Sequence, residues 1–86
     1  VTSARERYLQ KKYGLTLTDY DGMLTRQDGL CAICRKPPKK IRLAVDHDHK
    51  TGKVRGLLCG FCNHYIVGRL TLDKAKAVVT YLETYG

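Results

Sequence analysis

No stretch of this 86-residue sequence stays apolar for the length a membrane helix requires, and the start at Val1 is polar, without the apolar core of a signal peptide. A soluble, intracellular protein with no membrane partner is therefore expected. Low-complexity tracts are missing, and so is any internal repeat beyond two short cysteine pairs, which favours a folded chain over a disordered tail. Acidic residues are scarce: 8 Asp and Glu face 16 Lys and Arg, a formal net charge of +8. So large an imbalance on a short chain calls for a polyanionic partner. Nucleic acid fits better than a membrane surface, because the basic residues are scattered along the chain rather than gathered on one amphipathic helix face.

A chain of this length is expected to form one domain, residues 1–86, with a hydrophobic content of 43% that is near the globular norm. Its core is necessarily small, so something besides apolar burial must hold it. The cysteines supply that. Cys31-x-x-Cys34 and Cys59-x-x-Cys62 are separated by 24 residues, a spacing at which two tight knuckles bring four thiolates together as a tetrahedral zinc site. Two disulfides are the alternative, and they belong to oxidising compartments. A structural zinc in so small a domain contributes on the order of 10 kcal/mol to folding at neutral pH.

The helical part of the chain is expected over residues 1–30. Ser3-Ala4-Arg5-Glu6 reads as a capping box, with Tyr8, Leu9 and Tyr13 on one side and Gly14 ending a helix over 4–13. Thr18 with Asp21 repeats the start signal, and Tyr20, Met23 and Leu24 carry helical periodicity up to Asp28-Gly29. Pro37-Pro38 breaks the chain beside Lys36, Lys39 and Lys40, a loop read as solvated by default and as a DNA contact otherwise. Alternation over 41–45 and an extended run over 53–58 predict a hairpin, with its turn at Asp48 to Gly52. A short helix follows the second knuckle from Asn63 to Val67. From Thr71, the residues Leu72, Ala75, Val78, Val79, Leu82 and Tyr85 share one face of a last helix over 71–85, which is expected to pack on the core as a brace. With that face covered, the expected solution state is a monomer.

All three histidines and the single asparagine fall between Asp46 and His64: Asp46-His47-Asp48-His49, then Asn63-His64 beside the last cysteine. A bare zinc ribbon gives no reason to gather a carboxylate, imidazoles and a carboxamide there. Phosphodiester hydrolysis does, since it needs a base of imidazole pKa and a divalent cation held by hard oxygen ligands, Mg²⁺ or Mn²⁺. Taken singly, Asp48 and His49 read as turn residues, and Asn63 as a helix cap. His64 has no assigned role. Asp46-His47 resists a structural explanation, because adjacent ionisable groups add little to a strand. Both side chains can serve one phosphate only if the strand ends or bulges there.

Asp46 to His49, the run Thr51 to Cys59, and Cys62-Asn63 resemble the HNH, or ββα-metal, endonucleases, and most of all the branch typified by phage recombination endonuclease VII. Lys12-Tyr13-Gly14-Leu15-Thr16 and Gln27 to Cys34 are similar to that branch too, so the resemblance runs from about residue 11 to residue 68. It implies an α+β fold: a zinc-stapled ββα-metal (His-Me finger) core over 31–68, its β-hairpin packed on a helix, with short flanking α-helices. It also implies that Asp46 and Asn63 hold the catalytic metal and His47 activates water. His49 would contact the scissile phosphate or its leaving oxygen, and Arg55 a phosphate. The chain departs from the literal pattern in carrying Asn63 at the final ligand position.

The function expected is metal-dependent DNA endonuclease activity of low sequence specificity, leaving 5′-phosphate and 3′-hydroxyl ends, in the cytoplasm of an infected or host bacterial cell. No element of a pattern suited to reading a major groove is evident, and phosphate contacts carry no sequence information. Two readings compete: a non-catalytic zinc-ribbon DNA-binding module, and a branched-DNA resolvase or packaging-associated nuclease working with phage partner proteins. Junction-resolving members of the family build a dimer from a helical region after the core, whereas 18 residues follow Gly68 here, so resolution is not the first expectation.

Overall fold

The computed structural model describes residues 3–86; the polar start at Val1 and Thr2 lies outside the described residues. Helix α1 runs Ala4–Tyr13, capped by the Ser3 hydroxyl, which accepts the Glu6 N–H at 3.1 Å, and closed by Gly14 in the left-handed region at φ 71°. Helix α2 runs Leu17–Arg26 and starts two residues before the expected point. Both Thr16 and Thr18 are followed by Asp three residues on, and the chain uses the first. Thr16 Oγ1 accepts the Asp19 N–H at 3.0 Å while Asp19 Oδ2 accepts the Thr16 N–H at 2.9 Å, a reciprocal box that draws Leu17 into the helix.

Strands β1 (Ala44–His47) and β2 (Val54–Leu58) form a two-stranded antiparallel hairpin. The first strand was expected from residue 41, but Ile41 is 84% exposed and residues 41–43 lie outside the ladder. Tyr20 accounts for the difference: its hydroxyl donates to the Leu43 carbonyl at 2.6 Å, tying that backbone to α2 instead of to a partner strand. The turn is built as expected, with Asp48 Oδ1 accepting the N–H groups of Lys50 (2.7 Å) and Thr51 (3.1 Å).

Among the described residues, the outer edge of β2 has no third strand. Gln27, at the end of α2, takes that place: its carboxamide oxygen accepts the Leu57 N–H at 2.9 Å and its amide donates to the Leu57 carbonyl at 3.0 Å. A second amide hydrogen reaches the Leu30 carbonyl at 2.8 Å. After β2 the chain turns through Cys59 into a π-helical turn, Cys62–Ile66, and a 3₁₀ turn, Val67–Arg69, where a regular helix was expected. Gly68 is required there, because a Cβ at that position would lie 2.8 Å from the Asn63 carbonyl oxygen.

The core is small: Leu9, Tyr20, Leu43, Val45, Leu57 and Leu58 with the buried Cys31 and Cys62. Helix α3 (Leu72–Tyr85) contributes no buried residue, which overturns the expectation of a brace. Leu72 and Tyr85 are 71% and 76% exposed, and Val78, Val79, Tyr81 and Leu82 are exposed with them. With that face uncovered, the expectation of a monomer loses its ground. The molecule is accordingly long, 55 × 28 × 20 Å, with a radius of gyration of 14.9 Å against ~12 Å for a compact chain of this length. Among the described residues, no helix is long and apolar enough to cross a membrane.

Candidate active site

The four cysteines converge from the two knuckles, each offering a sulfur within 4.8 Å of the others. Cys34 Sγ and Cys59 Sγ are 3.9 Å apart, far beyond a disulfide bond and close to the ~3.8 Å edge of a tetrahedron with zinc–sulfur distances of ~2.3 Å. The Cys62 N–H points at Cys59 Sγ at 3.5 Å, a donor suited to a thiolate. Burial resists ionisation of Cys31, yet backbone N–H groups of Cys59, Cys34 and Ile33 outweigh it and bring that thiol down to about 6. Burial, then the neighbouring sulfurs, push Cys62 up to about 12. A first thiolate is therefore prepared by the fold at Cys31, while Cys62 depends on the cation that the cluster is compatible with, a structural zinc.

Directly outside this cluster lies the constellation of ionisable residues. Asp46, His47, His49, Asn63 and His64 all line one cleft of about 490 Å³. The register explains how adjacent Asp46 and His47 reach it together: Asp46 pairs with Gly56 and His47 with Val54, so Arg55 is the extra residue of a β-bulge and β1 ends at once. The π-helical turn that begins at Cys62 brings Asn63 to the opposite wall. No side-chain cap occurs at that turn, and among the described residues no protein group hydrogen-bonds the Asn63 carboxamide, so the capping role is not taken up. The His47 ring lies between those of Tyr13 (5.4 Å between centroids) and His49 (4.7 Å).

Asp46 is 7% exposed, and its charge is matched by Arg55, whose Nε and Nη2 donate to the two carboxylate oxygens at 2.6 and 2.9 Å. That pairing holds the Arg55 guanidinium above its ordinary pKa. Arg55 also donates to the His47 carbonyl at 3.3 Å and is not among the residues lining the cleft, so in this structure it positions Asp46. The donor set fits a hard divalent cation in kind: a carboxylate already drawing a positive charge, and a carboxamide oxygen with no protein partner. Asp48 is a turn residue, its carboxyl held below the usual range by the Thr51 and Lys50 N–H groups.

Six lining residues were not singled out as site residues from the sequence: Ala44, Val45 and Gly68, and three from α1, Tyr8, Lys12 and Tyr13. The available signal was Lys12-Tyr13 within a stretch that already carried the family resemblance.

The chain matches the recombination endonuclease VII family over residues 6–84 and belongs to it. It is 47% identical over 73 residues to the Gene 59 protein of Mycobacterium phage D29, and 48% identical over 73 residues to the Gene 59 protein of Mycobacterium phage L5. Each alignment covers 81% of this chain but 44% of the relative, so the chain spans less than half the length of the curated relatives it matches. No solved structure matches it significantly.

Proposed function

We propose that this chain is the catalytic part of a metal-dependent DNA endonuclease of the ββα-metal type, acting on DNA in the bacterial cytoplasm. The observation that carries the reading is the bulge at Arg55, which turns Asp46 and His47 onto the same cleft as Asn63, beside a cysteine cluster that pins both walls. A zinc ribbon that only bound DNA would have no use for that convergence.

In this reading His47, its ring flanked by those of Tyr13 and His49, accepts a proton from the attacking water. Asp46 and Asn63 would hold Mg²⁺ or Mn²⁺, which supplies charge stabilisation at the phosphate and the leaving oxygen. His49, exposed at the mouth, contacts the phosphate or that leaving oxygen. Arg55 spends Nε and Nη2 on Asp46, so its primary role is to orient and neutralise that carboxylate, with Nη1 left to meet a phosphate. Water attack with departure of the 3′ oxygen leaves 5′-phosphate and 3′-hydroxyl ends.

Branched-DNA cleavage, alone or with phage packaging proteins, is the second reading. The exposed apolar face of α3 favours it, since resolving a junction takes two active sites held together. The test is incubation of supercoiled plasmid and of a four-way junction with Mg²⁺, Mn²⁺ or thorough divalent-metal removal. The wild-type chain should nick plasmid only with metal, and His47→Ala should lose ~10²- to 10⁴-fold while still binding DNA. Nicking by His47→Ala at the wild-type rate, or cleavage that survives metal removal, sinks the nuclease assignment. Symmetric junction cuts with little plasmid nicking would select the second reading.

A further inference from the structure

The cleft does not end at Tyr8 and Tyr13. A second hollow of about 660 Å³ continues from it between α1 and residues 40–45, sharing Tyr8, Tyr13, Ala44 and Val45 with the cleft. Its lining includes Arg5, Lys40 and Arg42 and no acidic residue. Lys12 stands where the two hollows meet. Its ammonium lies 5.5 Å from the ring centres of both Tyr8 and Tyr13 and donates to the Tyr8 hydroxyl at 3.3 Å. Among the described residues, no carboxylate forms an ion pair with Lys12, Arg5, Lys40 or Arg42; the two ion pairs found join Arg35 to Asp28 and Arg55 to Asp46. Arg5 is instead stacked on the Tyr20 ring at 4.6 Å, which fixes its guanidinium in place.

We infer that this groove is the path of the DNA backbone leading away from the scissile phosphate, with Lys12 gripping the phosphate next to the cleavage point and Arg5, Lys40 and Arg42 gripping those beyond it. A row of cations without an ion-pair partner, two of them held by aromatic rings, opening into the site where a phosphate must sit, matches one ligand chemistry, a regularly spaced polyanion. Aromatic placement of Lys12 lowers the entropy lost when it meets a phosphate. The loop lysine Lys40, read as solvated from the sequence, acquires a function by this geometry; Lys36 and Lys39 do not line the groove.

The inference rests on the DNA-cleaving reading, but its test is binding and not cleavage. Fluorescence anisotropy with a short labelled duplex, measured on His47→Ala protein across a salt series, gives the slope of log affinity against log salt. Each phosphate contact removed should lower that slope by about 0.9. Lys12→Ala should lower it by about one contact and weaken binding on the order of fivefold, the upper end for an exposed ion pair. Lys40→Ala with Arg42→Ala should lower it by about two contacts, Lys12→Arg should restore it, and Lys74→Ala with Lys76→Ala on α3 should leave it unchanged. Circular dichroism confirms that each variant is folded. Equal loss from the α3 pair, or an unchanged slope in the groove variants, overturns the groove. If the groove behaves as expected but plasmid is never nicked, the cleavage reading fails while the binding path stands.

Discussion

Gln27 does at residue scale what a third strand would do at the scale of a sheet. It makes three hydrogen bonds to the backbone, two of them to Leu57, one of the most deeply buried residues. Gln27→Ala would leave the Leu57 N–H without a partner, while the Leu57 carbonyl would keep the Ala32 N–H at 3.1 Å. The expected destabilisation is about 1–3 kcal/mol, the cost of an unsatisfied buried donor, read by urea unfolding at saturating zinc. A change below about 0.5 kcal/mol, within the range of an ordinary surface substitution, would show that water replaces the side chain freely. Arg55 is the comparable residue on the opposite strand edge, where a bulge and an ion pair together aim one carboxylate.

At the scale of elements, the irregular turn after the second knuckle matters more to the site than the regular helices do. A π-helical turn places one more residue per loop of backbone than an α-turn, and here it sets Asn63 on the cleft while Cys62 stays buried at the cysteine cluster. Gly68 permits the tight return against the Asn63 carbonyl. Gly68→Ala should push the Asn63 backbone aside and cut nicking roughly 10- to 100-fold, because misplacing a site group by about an ångström has that effect. Zinc content and the melting temperature should stay close to wild type, since outside its chain neighbours the added methyl would meet only the Asn63 backbone. Full activity in Gly68→Ala would mean that Asn63 is not held where the reaction needs it. Helix α3, by contrast, is regular, well capped by Thr71, and carries its apolar face to the surface.

For the whole molecule, the short roll of buried side chains makes the cysteine cluster the main holder of the fold. Chelation at neutral pH should therefore unfold the hairpin and π-helical turn cooperatively, with the loss of secondary structure tracking zinc release. Acid should do the same. Zinc binds thiolates, and the raised pKa of Cys62 means a proton must be displaced there, so affinity falls as pH falls. Cys31 acts in the same direction: its lowered thiol adds stability above the unfolded value of 9.0 that is lost as pH falls through about 6. Circular dichroism with a zinc-responsive dye across about pH 5 to 9, which spans the folded and unfolded values of Cys31, checks both. An unchanged spectrum after complete zinc removal would refute the dependence.

The parts of this protein that the sequence determined by itself are those decided within a few residues of chain. Ser3 with Glu6 starts α1 and Gly14 stops it, Asp48 makes its own turn, and each Cys-x-x-Cys brings its own two sulfurs to one side. The cysteine pairing across 24 residues was legible as well, because one metal leaves four thiolates little choice of arrangement. Where local signals competed, as with Thr16 and Thr18, the reciprocal box of Thr16 and Asp19 took the helix start, with Leu17 packed against the core. The tertiary structure alone decided what crosses the chain: Gln27 on Leu57, Tyr20 on Leu43, Tyr13 against His47, and the Arg55 bulge that turns neighbours Asp46 and His47 onto one cleft. It also left α3 uncovered, though its pattern reads as a buried face. Amphipathic spacing says which side of a helix is apolar; only the placement of the rest of the chain says whether anything lies there to receive it.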